Sequence, residues 1–460
     1  MNYLESVVYI ESLSPTLKTP CLERVQAFMT ETGDLHERMP VLHVGGTNGK
    51  GSTVAMLDSV LRRAGLKVGR FTGPHLLNWN ERFHADGEPI PDDCFAELAT
   101  RVRRLSEDFG RRHPQFGPLT WFEFLTAMAF FYFADSKVDI AVMEVGLGGR
   151  WDATNVISSP LACAITNVDL DHTHILGDTV SQIAREKAGI IKAGAPVVTA
   201  AEGDALAEIV AAARASRSAV FQCAPPAAVV RLEAGARAAA DPLFDPADLD
   251  RLLPALERLS LAGIHQRVNA LVAIGVLLTS GLTGEFPGDQ VAAVADGLAS
   301  VYWPGRLQYL PDLRLVLDGA HNPAGARALR RALDELFPGC RRSFVLGCFQ
   351  NKDVARFVNY LMADGDRFYA CEAATRRAVV PAEAIVELAG SQELQAVECA
   401  SVAQALDRAL SERRPGDLVV ATGSLAVVKE AMIHLGWGRV EDGAAHTLMN
   451  WTEVAGLVST

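Results

Sequence analysis

Residues 43–53 read HVGGTNGKGST and directly follow the apolar run Pro40-Val41-Leu42. Glycines let a backbone adopt positive φ and approach a ligand closely, and the amides at a helix start attract anions. The stretch departs from the usual phosphate loop, G-x-x-x-x-G-K-[ST], in two ways. The residue five positions before Gly49 is not a glycine, and the residue after Lys50 is Gly51 instead of serine or threonine. A plain strand-to-helix turn needs one glycine. Four glycines beside a lysine and the hydroxyls of Ser52 and Thr53 favour a nucleoside triphosphate site.

The composition bounds the class of protein. The 460 residues are enough for two or three domains, and 49% apolar with 21% charged residues is typical of a globular protein. A net charge of −12 argues against a partner that is nucleic acid or an anionic membrane surface. The N-terminus has no basic region of a signal peptide, and the longest apolar run, 124–134, is too short to span a bilayer. The eight dispersed cysteines lack a C-x-x-C pair, so a reducing, cytoplasmic location is expected.

Short apolar runs alternate with amphipathic stretches along the chain, which predicts parallel sheets covered by helices in an α/β fold. The alternation pauses over 224–260, is interrupted near 301–305, and resumes near 314. We therefore predict one domain over 1–300, a second over 301–440 and a tail over 441–460. The predicted strands are 41–44, 67–71, 140–145, 161–166, 196–200, 219–222, 314–317, 343–347, 367–371 and 417–422.

The variant loop G-T-N-G-K-G-[ST] resembles the phosphate loop of the Mur ligase superfamily, and its Gly51-Ser52 form resembles that of folylpolyglutamate synthases and dihydrofolate synthases. Further motifs follow in the order of that family, from about residue 40 to about residue 430. They are TGPHL (72–76), ERF (81–83), LTWFEFLT (119–126), EVGLGGRWDATN (144–155), DHT (171–173), REKAGI (185–190), HQ (265–266), NA (269–270), PGR (304–306), DGAHNP (318–323) and GSL (423–425). The resemblance implies an N-terminal P-loop NTPase-like Mur-ligase central domain and a C-terminal Rossmann-like α/β domain.

The resemblance also implies a reaction. A carboxylate condenses with an amine only after its oxygen becomes a good leaving group, and ATP achieves this by forming an acyl phosphate. The implied enzyme is an ATP-dependent ligase that adds L-glutamate to a folate carboxylate. Such an enzyme must hold the γ-phosphate of ATP in line with that carboxylate. The acceptor can be tetrahydrofolate or its polyglutamates, dihydropteroate, or both. The implied cofactors are ATP and Mg²⁺ at two sites, and a monomer is expected.

The resemblance assigns nucleotide and metal residues. A buried strand-end carboxylate such as Glu144 is costly unless it is paired or metal-bound, so a salt bridge is the alternative to Mg²⁺. The resemblance implies that Lys187 is carbamylated by CO₂, as the matching lysine of the family is. Without that resemblance, a lysine on a helix would be expected to be solvated. The implied ATP-binding residues are Gly46, Thr47, Asn48, Gly49, Lys50, Gly51, Ser52, Asn269, Arg306, Asp318 and His321. The implied metal residues are Ser52, Glu144, His172 and Lys187, and the catalytic ones are Lys50, His172 and Lys187.

The folate site is implied by a third set of residues. A flat pterin stacks well on aromatic rings, although Phe122 could equally belong to the helix core. Two departures from the family, Gly73 in place of serine and Trp151 in place of a smaller aliphatic residue, leave the preferred folate form open. Lys352, Asp353 and Ser424 are weaker candidates for glutamate binding. The implied folate residues are His75, Arg82, Thr120, Trp121, Phe122, Glu123, Trp151, Asp152 and Ala153.

Three other functions fit the sequence less well. A ligase acting on a cell-wall nucleotide precursor carries a substrate domain before the loop, whereas only 44 residues precede Gly45. A switch-type NTPase requires serine or threonine directly after Lys50, where this chain has glycine. A dinucleotide-binding oxidoreductase would need G-x-G-x-x-G, and the glycines at 146–149 do not complete it.

Overall fold

The computed structural model of the chain forms two compact units. The residues that it describes are 1–14, 21–224, 228–232, 246–391 and 394–437. Unit 1 comprises Met1–Asp169, Leu176–Leu256 and Val268–Leu298, and unit 2 comprises Leu170–Ile175, Glu257–Arg267 and the chain from Ala299 onward. The predicted limits at 300 and 440 stay predictions, and the predicted tail over 441–460 lies outside the described residues.

Within the described residues, unit 1 is built on a nine-stranded sheet. Its strands are β1 Val41–Gly45, β2 Val68–Phe71, β3 Phe83–Ala85, β4 Glu88–Pro89, β5 Ile140–Glu144, β6 Ala162–Ile165, β7 Val197–Thr199, β8 Val220–Ala224 and β9 Ala228–Leu232. The order is β4-β3-β2-β5-β1-β6-β7-β8-β9. The six central strands are parallel to one another; in spatial order they are β2, β5, β1, β6, β7 and β8. Strands β3 and β4 at one edge and β9 at the other pair antiparallel.

Helices pack against this sheet, as the burial of a parallel sheet requires. All five residues of β1 are buried, and so is nearly every residue in the middle of the helix Trp121–Ser136. That helix carries apolar side chains around its whole circumference, which is typical of a helix inside a core. The helices up to residue 299 are α1 Tyr3–Ser12, α2 Glu23–Glu31, α3 Lys50–Arg63, α4 Asp92–Arg112, α5 Trp121–Ser136, α6 Thr173–Leu176, α7 Val180–Lys187, α8 Gly203–Ala215, α9 Pro246–Leu252, α10 Ile264–Thr279 and α11 Gln290–Ala299.

Unit 2 is a smaller α/β layer structure, with a six-stranded sheet in its described residues. The order is β10-β11-β15-β12-β13-β14, and only β10 pairs antiparallel with its neighbour. The strands are β10 Gln308–Leu310, β11 Leu315–Leu317, β12 Arg342–Leu346, β13 Arg367–Ala370, β14 Gln395–Glu398 and β15 Leu418–Thr422. The helices are α12 Pro323–Leu336, α13 Val354–Leu361, α14 Ala382–Gly390, α15 Val402–Glu412 and α16 Leu425–His434.

The predicted α/β fold class is confirmed, and all ten predicted strands are present with ends shifted by at most two residues. The sequence did not predict the short antiparallel strands β3, β4 and β10, which have too few residues for a clear alternation. It also did not predict the strands β9 and β14 or the helices α1, α2, α4, α6, α9 and α11, and of these β9 and α9 fall in the stretch 224–260 where the alternation pauses. In the part of the chain that the structure describes, no helix is long and apolar enough to cross a membrane.

Candidate active site

The predicted phosphate loop is the turn between β1 and α3. Gly46 has φ +138° and Gly49 has φ +86°, a region of backbone space that side chains rarely tolerate. A Cβ on Gly46 would collide with the hydroxyl of Thr166, and a Cβ on Gly49 would collide with the amide of Asn269. These two glycines are therefore required by both backbone conformation and space.

The loop is held by the segment that follows the neighbouring strand β6. The Thr47 amide donates to the carbonyl of Asn167 at 2.7 Å, and the Asn48 amide donates to the side-chain oxygen of Asn167 at 2.7 Å. The Thr166 hydroxyl donates to the Asn48 carbonyl at 2.6 Å, and the Thr47 hydroxyl exchanges hydrogen bonds with the backbone of Asp169. The protein itself thus fixes the first half of the loop, and the start of α3 remains for an anion.

The start of α3 has the features of an anion site. The first amides of any helix lack intrahelical acceptors, and Gly49, the N-cap residue, supplies no capping side chain. Lys50 is the first residue of the helix, and its ammonium donates to the carbonyls of Gly46 at 3.2 Å and Thr47 at 3.1 Å. Its charge is therefore held over the loop, where helix dipole and ammonium attract phosphate together.

Lys187, at the end of α7, reaches the same loop. Its side chain is buried, with 4% of the residue exposed, and its ammonium donates to the Gly46 carbonyl at 2.7 Å. Two lysines, Lys50 and Lys187, therefore share one carbonyl acceptor. The sequence alone would make Lys187 an ordinary solvated residue. Its burial beside the loop instead agrees with a role in the site.

Glu144 lies at the carboxyl end of β5, opposite Val44 of β1 in the sheet register. It is buried, and one carboxylate oxygen accepts from the Gly73 amide at 3.1 Å. Ser52 is also buried, in the first turn of α3. Carboxylate and hydroxyl oxygens suit Mg²⁺, which usually completes its shell with water and substrate phosphates. That completion would be needed here, because the described residues contain no cluster of three His, Cys, Asp or Glu side chains able to hold a metal.

His172 lies in unit 2, next to a buried carboxylate. Asp171 accepts from the Lys352 ammonium at 2.5 Å and from the Asn322 side-chain amide at 2.9 Å. His172 is 3.5 Å from the same ammonium, and His321 lies 3.7 Å from Asp171. Burial raises the pKa of Asp171, but the hydrogen bond from His321 and the charges of Lys352 and His172 outweigh it and hold that pKa well below its usual value. His172, His321 and Lys352 thus belong to one polar cluster of unit 2.

Asp318 follows β11 of unit 2 and fixes the turn around it. Its two carboxylate oxygens accept from the amides of Leu307 and Ala320, both at 2.8 Å. Arg306 is close by, because a Cβ on Gly319 would lie 3.1 Å from its guanidinium. Each carboxylate oxygen has a second lone pair, so the predicted nucleotide contact of Asp318 is compatible with this structural role and stays a prediction.

An aromatic cage surrounds Arg82 in unit 1. The guanidinium carbon lies 5.2 Å from the ring centroid of Trp79 and 5.2 Å from that of Trp121. The Arg82 Nε donates to Nδ1 of His75 at 3.0 Å, which places the proton of a neutral imidazole on Nε2. Three of the predicted folate residues, His75, Arg82 and Trp121, therefore lie together. The cage offers flat surfaces and a cation to a planar, polar ring.

Two other predicted folate residues, Thr120 and Glu123, form the capping box of α5. The Glu123 carboxylate accepts from the Thr120 amide at 2.8 Å and from its hydroxyl at 2.7 Å. Arg24 lies 3.6 Å from the same carboxylate oxygen. These contacts give both residues a folding role, since a capping box satisfies amides at a helix start. Phe122 is half-buried and fills the space over Gly146, where a Cβ would collide with its ring.

Asp152 organises the loop that follows β5. Its carboxylate accepts from the Leu147 amide at 2.9 Å, from the Thr154 amide at 3.0 Å and from the Thr154 hydroxyl at 2.6 Å. Burial raises the pKa of Asp152, and these hydrogen bonds oppose the rise. Ala153 is buried beside it, whereas Trp151 is 49% exposed. The predicted pterin residues 151–153 therefore differ widely in environment.

His43 is a residue of this network that the sequence did not predict. It lies in the middle of β1 and is fully buried, and its Nε2 is 2.8 Å from the Thr154 hydroxyl. A signal was present, because a histidine inside an otherwise apolar central strand needs a polar partner. The partner itself is 111 positions away in sequence, so the pattern could not identify it.

Comparison with known proteins places these features in a family. Residues 305–425 match the family described as Mur ligase, glutamate ligase domain. The folylpolyglutamate synthase of Lacticaseibacillus casei is 37% identical over 368 residues, which cover 79% of this chain and 83% of that protein. A solved structure of E. coli FolC in complex with DHPP and ADP superposes with a TM-score of 0.77 at 28% identity, covering 95% of this chain and 98% of that one.

A longer relative matches almost the whole chain. The protein named "Probable bifunctional folylpolyglutamate synthase/dihydropteroate synthase" of Haloferax volcanii is 35% identical over 438 residues, 94% of this chain. The match covers 50% of that relative, so the chain spans about half its length. The identity and coverage of the Lacticaseibacillus casei protein, together with the fold and the loop described above, lead to one assignment. The chain belongs to the folylpolyglutamate synthase/dihydrofolate synthase family of Mur ligases.

Proposed function

We propose that the chain is an ATP-dependent ligase that joins L-glutamate to the carboxylate of a folate-type acceptor through an acyl phosphate. The observation that carries the proposal is the loop Gly46–Gly49, on whose Gly46 carbonyl the two ammonium groups of Lys50 and Lys187 meet. Glu144 ends the neighbouring strand of the same sheet. Such an arrangement suits the charge of a transferring phosphoryl group.

The residues of the candidate active site would have separate roles in binding ATP, Mg²⁺ and the acceptor. The helix start at α3 and Lys50 bind the phosphates of ATP, and the side chain of Lys187 is buried beside the same loop, where its carbamate would serve as a ligand of Mg²⁺. Glu144 and Ser52 would hold Mg²⁺, whose charge neutralises the phosphate oxygens. The pterin ring of the acceptor is bound by the Arg82 cage and by Asp152. Burial of these groups keeps water away from an acyl phosphate, which would otherwise hydrolyse.

The acceptor scope is the part of the proposal that an assay resolves most directly. Phosphate release from ATP and Mg²⁺ is measured with dihydropteroate, tetrahydrofolate or no acceptor, each with and without L-glutamate. We expect release that requires both glutamate and an acceptor, with tetrahydrofolate and with dihydropteroate. A response to tetrahydrofolate alone would limit the enzyme to polyglutamylation. Phosphate release that does not depend on any pterin would contradict the proposed function, and so would a lack of phosphate release with every pterin.

Lys187 is proposed to react with CO₂ to give a carbamate, with loss of one proton from the amine. The neutral amine is the form that attacks CO₂, and the side chain of Lys187 is buried. The carbamate nitrogen keeps one N–H, which can still donate to the Gly46 carbonyl, and the two new oxygens carry the negative charge that Mg²⁺ prefers. The charge at this position would change from positive to negative.

Carbamylation of Lys187 can be observed without an activity assay. In ¹³CO₂-equilibrated buffer the protein should show a carbamate carbon resonance that is lost in Lys187→Arg. The matched control is Lys192→Arg, which replaces another partly buried lysine and should retain the resonance. A wild-type spectrum without the resonance, or its persistence in Lys187→Arg, would contradict the assignment.

The proposed enzyme is a cytoplasmic monomer whose partners are small molecules: ATP, L-glutamate and the folate acceptor. The net charge of −12 is unfavourable for binding nucleic acid. Light scattering of the purified chain should give the mass of one copy, 49.4 kDa. A mass that doubles with concentration would contradict the monomer.

A further inference from the structure

His43 connects the strand that leads into the phosphate loop with the loop that follows β5. It lies three residues before Gly46, in a strand flanked by β5 and β6. The imidazole is fully buried, and its Nε2 contacts the Thr154 hydroxyl at 2.8 Å. A buried polar group in a central strand costs free energy unless it is hydrogen-bonded. This contact satisfies the Nε2 atom of His43 and links β1 to the 147–155 loop.

The direction of the hydrogen bonds follows from counting protons. The Thr154 hydroxyl has one proton, and it donates that proton to the Asp152 carboxylate at 2.6 Å. The hydroxyl must therefore accept from His43, so the neutral imidazole carries its proton on Nε2. Its Nδ1 has no hydrogen-bond partner among the described residues. His43 is thus fixed as a donor in a chain that runs to Thr154 and then to Asp152.

The same chain sets the shape of the 147–155 loop. One oxygen of Asp152 accepts from the Thr154 amide and hydroxyl, and the other accepts from the Leu147 amide at 2.9 Å. Lys192 holds the far end of the loop, because its ammonium donates to the Asn155 carbonyl at 3.0 Å. With the hydroxyl of Thr154 oriented by His43, the carboxylate of Asp152 has one position.

We propose that His43 is a positioning residue for the pterin acceptor, which it orients through Thr154 and Asp152. This inference rests on the proposed function, in which Asp152 and its neighbours bind the pterin ring. His43 does not touch the acceptor. It determines how firmly the acceptor is bound, and it leaves the ATP site largely unaffected because the phosphate loop is held by the 166–169 segment.

The test compares two substitutions at position 43 by calorimetric titration of dihydropteroate and tetrahydrofolate, with ADP and Mg²⁺ present. His43→Leu removes the donor, and the dissociation constant for the acceptor should rise about tenfold, the size expected from one buried hydrogen bond. His43→Gln restores a donor at the same distance from the backbone and should stay within about threefold of wild type. In phosphate-release kinetics the KM for ATP should remain near the wild-type value in both variants.

A matched control and a double mutant separate positioning from general damage. His36→Gln removes another buried imidazole of unit 1 outside the network, and it should leave acceptor binding unchanged. Because His43 acts through Thr154, the double variant His43→Leu/Thr154→Val should bind the acceptor as weakly as Thr154→Val alone. If His43→Leu does not fold, Thr154→Ser, which keeps the hydroxyl, should bind the acceptor more tightly than Thr154→Val.

Several results would overturn the proposal. They are unchanged acceptor binding in His43→Leu, a parallel rise in the KM for ATP, additive effects in the double variant, and equal binding by Thr154→Ser and Thr154→Val. If wild type binds an acceptor and the variants bind it equally well, only the role of His43 fails. If wild type binds neither pterin and releases no pterin-dependent phosphate, the proposed function fails as well, and the two failures are thereby distinguished.

Discussion

Replacement of His43 by glutamine should reduce the sensitivity of the protein to acid. Burial lowers the pKa of the His43 imidazole to about 3, with the charge of Lys192 as a second cause. In the unfolded chain the same imidazole has a pKa of about 6.5. Between these values the unfolded state binds a proton that the folded state excludes. The stability contributed by neutral His43 is therefore complete above pH 6.5 and is lost as the pH falls toward 3.

The size of the effect follows from those two pKa values. A pH of 5 is about 1.5 units below the pKa of the unfolded imidazole, which is then protonated, while the folded imidazole is still neutral. The free energy of unfolding is therefore about 2 kcal/mol lower at pH 5 than at pH 8. Glutamine does not titrate and keeps the donor to Thr154. Other histidines whose pKa is lowered by burial, such as His84 and His265, also contribute to acid sensitivity, but their contributions are common to wild type and variant.

Urea unfolding at pH 8 and at pH 5 measures the difference. The free energy of unfolding of wild type should fall between these pH values by about 2 kcal/mol more than that of His43→Gln. His174→Gln, which removes an exposed imidazole, should retain the wild-type pH dependence. Equal losses in wild type and His43→Gln would refute the reasoning, since they would mean that the buried imidazole takes up its proton without unfolding.

Three further substitutions test local contacts. Gly46→Ala places a Cβ against Thr166 at a φ of +138°, so the dissociation constant of ATP should rise about tenfold or more in a nucleotide titration. Thr120→Val removes the cap that pairs with Glu123, and urea unfolding should show a loss of about 1 kcal/mol. Glu81→Gln replaces a carboxylate that accepts from three backbone amides, so the free energy of unfolding should fall by about 1–3 kcal/mol. An unchanged value in any of these measurements would contradict the role of that contact.

The sequence predicts ten of the fifteen described strands, because most of these ten are buried on both faces. A strand such as β1, with five buried residues, leaves a continuous apolar run, and the glycines after it fix where the run ends. The helix α3 begins at Lys50, directly after Gly49. The two- and three-residue strands β3, β4 and β10 leave no such signal. They form because neighbouring strands offer open edges, which is information that local sequence does not contain.

The site was predicted less completely, because a motif does not separate residues that bind a ligand from residues that hold the loop. Thr120 and Glu123 are capping partners, and Asp152 is bonded to its own loop by three hydrogen bonds. Spacing within a motif reveals these local contacts only after the backbone is known. The contacts of His43 and Lys187 join segments more than a hundred residues apart, so no local pattern could have predicted them.

The phosphate loop shows why the two kinds of residue occur together. The amides of Thr47 and Asn48 are bonded to Asn167, so they are unavailable to an anion, yet they fix the path of the backbone that precedes α3. A loop already held in its binding conformation does not have to be ordered when the nucleotide arrives, and affinity rises by the cost that is avoided. The glycines at 46 and 49 make this path possible, and the segment after β6 keeps it in place. The departure from the usual sequence of a phosphate loop therefore changes which groups hold the loop. The helix start and Lys50 keep their position for the phosphates.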